Sequence, residues 1–290
     1  MSAITVTCFT DPGCPWAYSA SPAFAVLRWR YGDQLRWRVV VIGLAEDPQR
    51  YVQRGYTPEL MAMANMRFRR FGMPFLLAPR ARVAATGRAF RAIVASRLLD
   101  PPREYEVLRA LQIAWFTSTL VLDEDRDLAQ ALSSVEGLDV QAVIAAIDDG
   151  RTTDAYEADK RAARSAEGSP TQFQGKARQS DGPVRYSAPS LVLEAGARRL
   201  EAGGFQPVEA YDVLIANLDP TLARSEPPEQ AIDALRAFPG GLVTQEIAAI
   251  MAQNNEAADR DRAEQALIAL AGAGEVRRTP LGDGAVWQIA

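Results

Sequence analysis

The hydrophobic positions of this chain change period several times, and each change marks a predicted element. Between Ile4 and Phe9, the residues Ile4, Val6 and Cys8 alternate with Thr5, Thr7 and Phe9. That period of two predicts a strand, and Asp11-Pro12-Gly13 breaks it sharply. Trp16, Ala20, Ala23, Phe24, Leu27 and Tyr31 then recur at helical spacing, predicting one helix from Pro15 to Tyr31 that Gly32-Asp33 closes. Pro15 falls in the first turn, where its missing N–H leaves no bond unmade. Leu35 to Leu44 is rich in β-branched residues and predicts a second strand, making a β-α-β unit with a parallel strand pair.

From about Pro58 to Ser165 the pattern is helical. One helix opens at Thr57-Pro58-Glu59, and others are predicted over Ala81 to Leu99, Glu104 to Ser118, Asp125 to Ser134 and Val140 to Asp149. A block of about a hundred residues between two strand regions suggests an inserted helical subdomain. Ser165 to Val184, polar and carrying Gly168, Pro170, Gly175, Gly182 and Pro183, reads as a loop or lid. Ser190 to Glu194 and Arg198 to Ala202 flank Ala195-Gly196-Ala197 as a hairpin, and Val208 to Leu218 forms a helix. After the linker-like Leu222 to Pro228 come helices at Ala231 to Ala237, Thr244 to Ala252 and Asp259 to Ala271. A two-stranded wing, Glu275 to Thr279 and Ala285 to Ile289, completes a winged-helix order. The expected class is therefore α/β: a thioredoxin fold with a helical insertion, plus a C-terminal winged-helix-like module. The expected units are residues 1–56 with 185–220 for the thioredoxin-like domain, 57–184 for the insertion with its lid-like loop, and 221–290 for the C-terminal module.

Composition narrows the chemistry. The 290 residues are 48% hydrophobic and 23% charged, ordinary for a globular chain, with net charge -4. That balance gives no electrostatic footprint for nucleic acid or an anionic membrane. The C-terminal module has five Arg against seven Asp or Glu from Leu235 onward, and its candidate groove helix begins Asp259-Arg260-Asp261. Such a surface lacks the phosphate attraction behind DNA affinity, so a structural or dimerisation role is favoured, with a homodimer as the expected assembly. No basic leader and no run of about 18 apolar residues is visible, so a cytoplasmic, membrane-free protein is expected. Histidine is absent and cysteine occurs twice. The first fact removes His-dependent triads, Cys-His hydrolases and nearly every zinc site, so no metal or tightly bound cofactor is expected. The second points to thiols that are buried or reactive rather than bridged.

Cys14 falls at the strand-to-helix junction, where free backbone N–H groups and the helix dipole favour a thiolate. The stretch Asp11-Pro12-Gly13-Cys14-Pro15-Trp16-Ala17 is similar to the active-site stretch of the cytoplasmic DsbA-like proteins, including the FrnE-like oxidoreductases and the mycothiol-dependent nitroreductases. The insertion, with Gly137-Leu138-Asp139 before a helix and Ala155 to Ala166 leading back to the sheet, resembles the same group. It also resembles their relatives, the kappa-class glutathione transferases and the 2-hydroxychromene-2-carboxylate isomerases. About residues 1 to 220 are covered.

The resemblance implies a thiol oxidoreductase whose substrates are thiols or disulfides. It implies a cis proline before the third strand, which Ser187-Ala188-Pro189-Ser190 supplies, since cis bonds are almost wholly an X-Pro feature. Pro189 is then expected to pack on Cys14, with Ala188 and Ser190 beside a bound thiol. Where dithiol members carry a second cysteine, this chain has Ala17. A monothiol Cys14 would form mixed disulfides with a protein or with glutathione or mycothiol as cosubstrate, or would activate such a thiol as the transferases and isomerases do. A thioredoxin-like scaffold without catalysis is the third reading. Cys8, on the first strand, reads as core.

Other features carry two readings each. Trp16 either shields the thiol or packs the helix against the core. Asp11 either tunes the site or shapes the Asp-Pro turn, and the turn is the simpler reading. Met61, Met63, Met66 and Met73 with Phe68, Phe71 and Phe75 line a pocket or, more commonly, fill a core. Arg67, Arg69 and Arg70 either bind an anionic thiol cosubstrate or solvate a face, and the solvated face is the simpler reading.

Overall fold

The computed structural model describes residues 4–180 and 182–290, so Met1 to Ala3 of the first expected unit and position 181 of the expected loop lie outside the described residues. The chain runs β1 (Ile4–Thr10), α1 (Pro15–Ser19), α2 (Ser21–Tyr31), β2 (Leu35–Val41), then eight helices: α3 (Gln49–Val52), α4 (Pro58–Asn65), α5 (Gly87–Leu99), α6 (Glu104–Thr117), α7 (Asp125–Leu132), α8 (Val140–Ala146), α9 (Gly150–Ala163) and α10 (Pro170–Phe173). It closes with β3 (Ser190–Ala195), β4 (Arg198–Gly203), α11 (Val208–Leu218), α12 (Ala231–Ala237), β5 (Leu242–Val243), α13 (Thr244–Met251), α14 (Arg260–Gly272), β6 (Val276–Leu281) and β7 (Gly284–Ile289).

One four-stranded sheet has the order β2-β1-β3-β4. β1 runs parallel to β2, with Ile4 opposite Leu35, and antiparallel to β3, with Cys8 opposite Leu191. The alternation along β1 sends Ile4, Val6 and Cys8 into a core shared with Leu27, Leu193 and Tyr211, while Phe9 faces Val40, Tyr186 and Cys14. This is a mixed α/β fold of the thioredoxin-like kind, with helices α3 to α10 between the second and third strands.

Two departures from the sequence pattern have physical causes. The helix expected from Pro15 to Tyr31 is broken at Ala20, because Pro22 in the next first turn has no N–H to continue the ladder. The helix expected from Ala81 begins only at Gly87. Residues 83–86 are instead buried against the loop after β2, where Thr86 N–H donates to the Ala45 carbonyl at 3.1 Å. A Cβ on Gly87 would come within 2.5 Å of the Glu46 carbonyl oxygen, so the close approach requires glycine.

Buried carboxylates fasten the layers. Asp159 on α9 takes both arms of Arg97 (2.6 and 3.0 Å) and the Val41 N–H (3.1 Å), pinning the helices to the end of β2. Glu201 on β4 accepts from the Thr171 hydroxyl (2.7 Å) and the Tyr186 hydroxyl (2.9 Å). The stretch expected as a loose lid is thereby anchored at α10, whose Thr171 is fully buried.

Helices α12 to α14 and the antiparallel sheet β5-β7-β6 form a compact group over α2, with Ala25 and Val26 sharing a core with Leu235, Ile247 and Trp287. Fully buried Trp287 donates its Nε1–H to Thr244 at 3.0 Å. The β6–β7 turn docks onto the irregular stretch after α4. Asp283 accepts the Phe75 N–H at 2.7 Å and pairs at 2.6 Å with Arg69, which remains exposed on the solvated face while helping to fasten the turn. Arg67 and Arg70 are exposed.

Candidate functional site

The turn after β1 is built by Asp11. One carboxylate oxygen accepts the Gly13 N–H at 2.7 Å and the other the Leu44 N–H at 3.0 Å, tying this turn to the loop after β2. Cys14 follows at the N-cap position of α1, with extended backbone and Pro15 in the first helical turn. Its Sγ–H donates to the Ala188 carbonyl at 3.2 Å, and the Ala188–Pro189 peptide bond is cis. The thiol thus closes on the segment that leads into β3.

Burial dominates the electrostatics. Cys14 is only 6% exposed, and desolvation pushes its thiol up to about 12. The charge of Asp11 adds to the rise, while the N–H groups of Ala17 and Trp16 and the charge of Arg185 oppose it without offsetting burial. The sequence leads one to expect the opposite, a thiol lowered by a long helix. The break at Ala20 leaves α1 only five residues long, and the sulfur sits inside the protein rather than at a wet helix end. Asp11 is raised to about 7, again by burial, against the opposing N–H groups of Leu44 and Gly13. Cys8 is buried on β1 and raised to about 12.

A cleft of about 390 Å³ opens beside Cys14, lined by Trp16, Leu44, Lys176, Arg178, Arg185, Ser187, Ala188, Gly204 and Phe205. Three of these carry positive charge and none carries negative charge. Lys176 and Arg178 are exposed, whereas Arg185 is buried and hydrogen-bonds the Tyr186 carbonyl at 3.1 Å. Trp16 is 37% exposed and packs on Phe68, Phe71 and Phe205, with ring centroids 4.9, 5.7 and 5.6 Å away. It therefore forms a wall of the cleft and also caps the core. The methionine and phenylalanine group divides in the same way: Phe68, Met73 and Phe75 are core, Phe71 backs Trp16, and Met63 and Met66 are exposed.

The structure brings together Cys14, Trp16 and Ala188 on the cleft, with Pro15 half-buried at the start of α1 and Pro189 buried behind Ala188. Ala17 is buried in one cluster with Cys14, Val40 and Tyr186. Asp11 and Ser190 do not face the cleft. Both Asp11 oxygens serve backbone amides, and the fully buried Ser190 hydroxyl accepts the Gly204 N–H at 3.2 Å. Neither is positioned to touch a bound thiol. Lys176, Arg178, Arg185 and Phe205 were not singled out by sequence. The only signal was three basic residues in the polar stretch before Ala188, and Phe205 gave none. No group of three or more metal-ligating side chains exists among the described residues, and no helix among them is long and apolar enough to cross a membrane.

Comparison with solved structures places the fold. The cytosolic disulfide reductase DsbM from Pseudomonas aeruginosa superposes with TM-score 0.52 at 19% identity, covering 74% of this chain and 98% of its own. A Streptomyces coelicolor protein described as a DsbA oxidoreductase gives TM-score 0.54 at 18% identity, covering 75% and 91%. DsbM has also been solved with GSH, at TM-score 0.52 and 18% identity. No curated protein matches the sequence. The family model of the DSBA-like thioredoxin domain matches residues 5–187, ending two residues before Pro189. With well over half of its length in that match, the chain belongs to the DSBA-like thioredoxin domain family, whose members act on thiol or disulfide substrates.

Proposed function

We propose that this protein is a monothiol oxidoreductase in which Cys14 exchanges with the disulfide of an anionic low-molecular-weight thiol, with glutathione favoured over mycothiol. The observation that carries this reading is the cleft itself: Cys14 and Ala188 share it with Lys176, Arg178 and Arg185 and, among the described residues, with no carboxylate. Glutathione offers two carboxylates to such a wall, whereas mycothiol is a sugar thiol with none. The structure of DsbM with GSH supports the choice as a likeness of fold.

In the exchange, Cys14 sulfur attacks one sulfur of the oxidised thiol. The Cys14–S bond forms as the S–S bond breaks, and the departing thiolate takes the Cys14 proton. A second free thiol then attacks the mixed disulfide and returns Cys14 to its reduced form, which Ala17 cannot do in place of a cysteine. The resting thiol is protonated and held by the Ala188 carbonyl, so exchange requires the bound disulfide to displace that contact. Pro15 and Pro189 shape the two sides of the thiol, and Asp11 acts on it through charge and turn geometry. Residues 221–290 are read as a winged-helix-like module with a structural role. Its wing tip is occupied by Phe75, not free for a groove.

The buried, protonated thiol also favours a second reading, a scaffold without exchange chemistry. Intact-mass measurement after incubation with oxidised glutathione separates the two. One glutathione on wild type and none on Cys14→Ser is the expected result, with mycothiol disulfide slower. No adduct on wild type with either disulfide would leave the scaffold.

A further inference from the structure

Beside the C-terminal half of α2, a cleft of about 470 Å³ opens between β2, α6 and the stretch joining α12 to β5. That volume is in the range of small-molecule sites. Trp29, Trp37, Tyr105 and Phe238 give it flat apolar walls, and Arg28 lies among them. The Arg28 guanidinium sits 3.6 Å from the Tyr105 ring centroid and 4.3 Å from that of Trp37. Among the described residues it has no carboxylate within ion-pairing distance, and its buried Nε–H has no hydrogen-bond partner. The indole N–H of Trp37 is likewise buried and without a partner.

Two orphaned donors on one wall are uncommon in a folded protein, because each leaves a desolvated polar group unmade. Both belong to residues that line the same opening. The other charges there do not neutralise Arg28. Arg109 is taken by Glu246, Glu106 by Arg103 at 2.7 Å, and Asp33 stands exposed at the rim. Cation–π contact with two rings and a hydrogen-bonding interaction with Tyr105 soften the burial of the guanidinium but leave its Nε–H without an acceptor.

We propose that this cleft is a second ligand site, for a small organic carboxylate with a flat apolar body, whose oxygens accept from Arg28 and Trp37 while the ring lies between the aromatic walls. Arg28 prefers such a bidentate planar acceptor over a neutral one. Burial also lowers the Arg28 pKa, the direction expected for a cation without its counter-charge.

Calorimetric titration of the full chain tests this with 2-naphthoate, its neutral isostere 2-naphthamide and inorganic phosphate. Saturable naphthoate binding is expected, with the amide and phosphate each about tenfold weaker or worse. Arg28→Gln should weaken naphthoate by about tenfold or more while leaving Cys14 glutathionylation unchanged. Should Arg28→Gln fail to fold, Trp37→Phe removes only one donor and should weaken naphthoate by about threefold or more. Absence of saturable binding by naphthoate up to about 5 mM, equal binding of acid and amide, tighter binding of phosphate, or no loss in either variant would each overturn the proposal.

Discussion

Glu246 of α13, fully buried, accepts both terminal nitrogens of Arg109 on α6, one of them at 2.5 Å. The same carboxylate accepts the Ser21 hydroxyl at 2.5 Å and the Val243 N–H at 2.8 Å. One side chain therefore joins the inserted helices, the start of α2 and the C-terminal residues. Glu246→Ala would leave a guanidinium buried without its partner, and should lower stability by about 3–5 kcal/mol. Chemical denaturation checks this. Arg109→Met combined with Glu246→Leu should recover most of the loss, since the uncompensated charge goes too.

Cys14 should be slow toward neutral alkylating agents. A thiol at about 12 instead of 9.0 has about a thousandfold less thiolate at pH 8. The rate with iodoacetamide, followed by mass spectrometry, should rise through pH 10 without a plateau. Asp11→Asn removes a charge that disfavours the thiolate and should speed the reaction. A plateau below pH 8 in wild type would contradict the buried, protonated resting thiol.

Asp11 also links stability to pH. Its carboxyl stands at about 7 in the folded chain against an ordinary 3.8, so folding favours the neutral form. The contribution is complete below about pH 3.8, erodes as the pH rises toward 7 and is gone above it. Urea melts of wild type and Asp11→Asn at pH 4, 5.5 and 7 should show the variant gaining on wild type as pH rises. The change across that window is on the order of a few kcal/mol. A constant difference between the two would mean that Asp11 ionises normally.

Lys176→Glu and Arg178→Glu together reverse two exposed charges at the mouth of the Cys14 cleft. The rate of glutathionylation at low salt should fall by about tenfold or more, with a weaker dependence on ionic strength. Iodoacetamide, which is neutral, should react as it does with wild type. Equal losses with both reagents would point to a structural effect of the substitutions.

Much of this arrangement is legible in the sequence, for local reasons. The alternation from Ile4 to Phe9 and the break at Asp11-Pro12-Gly13 locate β1 and the turn, and Val208–Leu218 emerges with the bounds its periodicity predicts. What escapes is set by distant contacts. The pattern from Ala81 is helical in isolation, yet residues 83–86 stay out of the helix, buried against the loop at Ala45. The thiol and the proline of the site announce themselves by type and spacing. The cationic wall does not, since Lys176 and Arg178 are ordinary surface residues until the fold carries them beside Cys14. Nor does spacing reveal the state of the thiol. A strand-to-helix junction says where Cys14 lies along the chain, whereas its proton affinity depends on how deeply other segments cover it.

The docking of the β6–β7 turn has a consequence for the order of synthesis. Asp283 holds both backbone groups of Phe75, with its own N–H donating to the Phe75 carbonyl at 3.1 Å. A Cβ on Gly282 would come within 2.6 Å of the Phe75 backbone, so the two strands of chain touch directly. Phe71, a few residues before Phe75, is part of what backs Trp16 at the cleft. A growing chain thus makes the thiol at residue 14 and the cis-proline segment at 188–189 well before it makes the contact that fastens the stretch behind Trp16. On the ribosome, the residues that bury Cys14, from Phe9 to Val192, are all made before the β6–β7 turn arrives, and what that turn adds last is the fastening of the stretch behind Trp16.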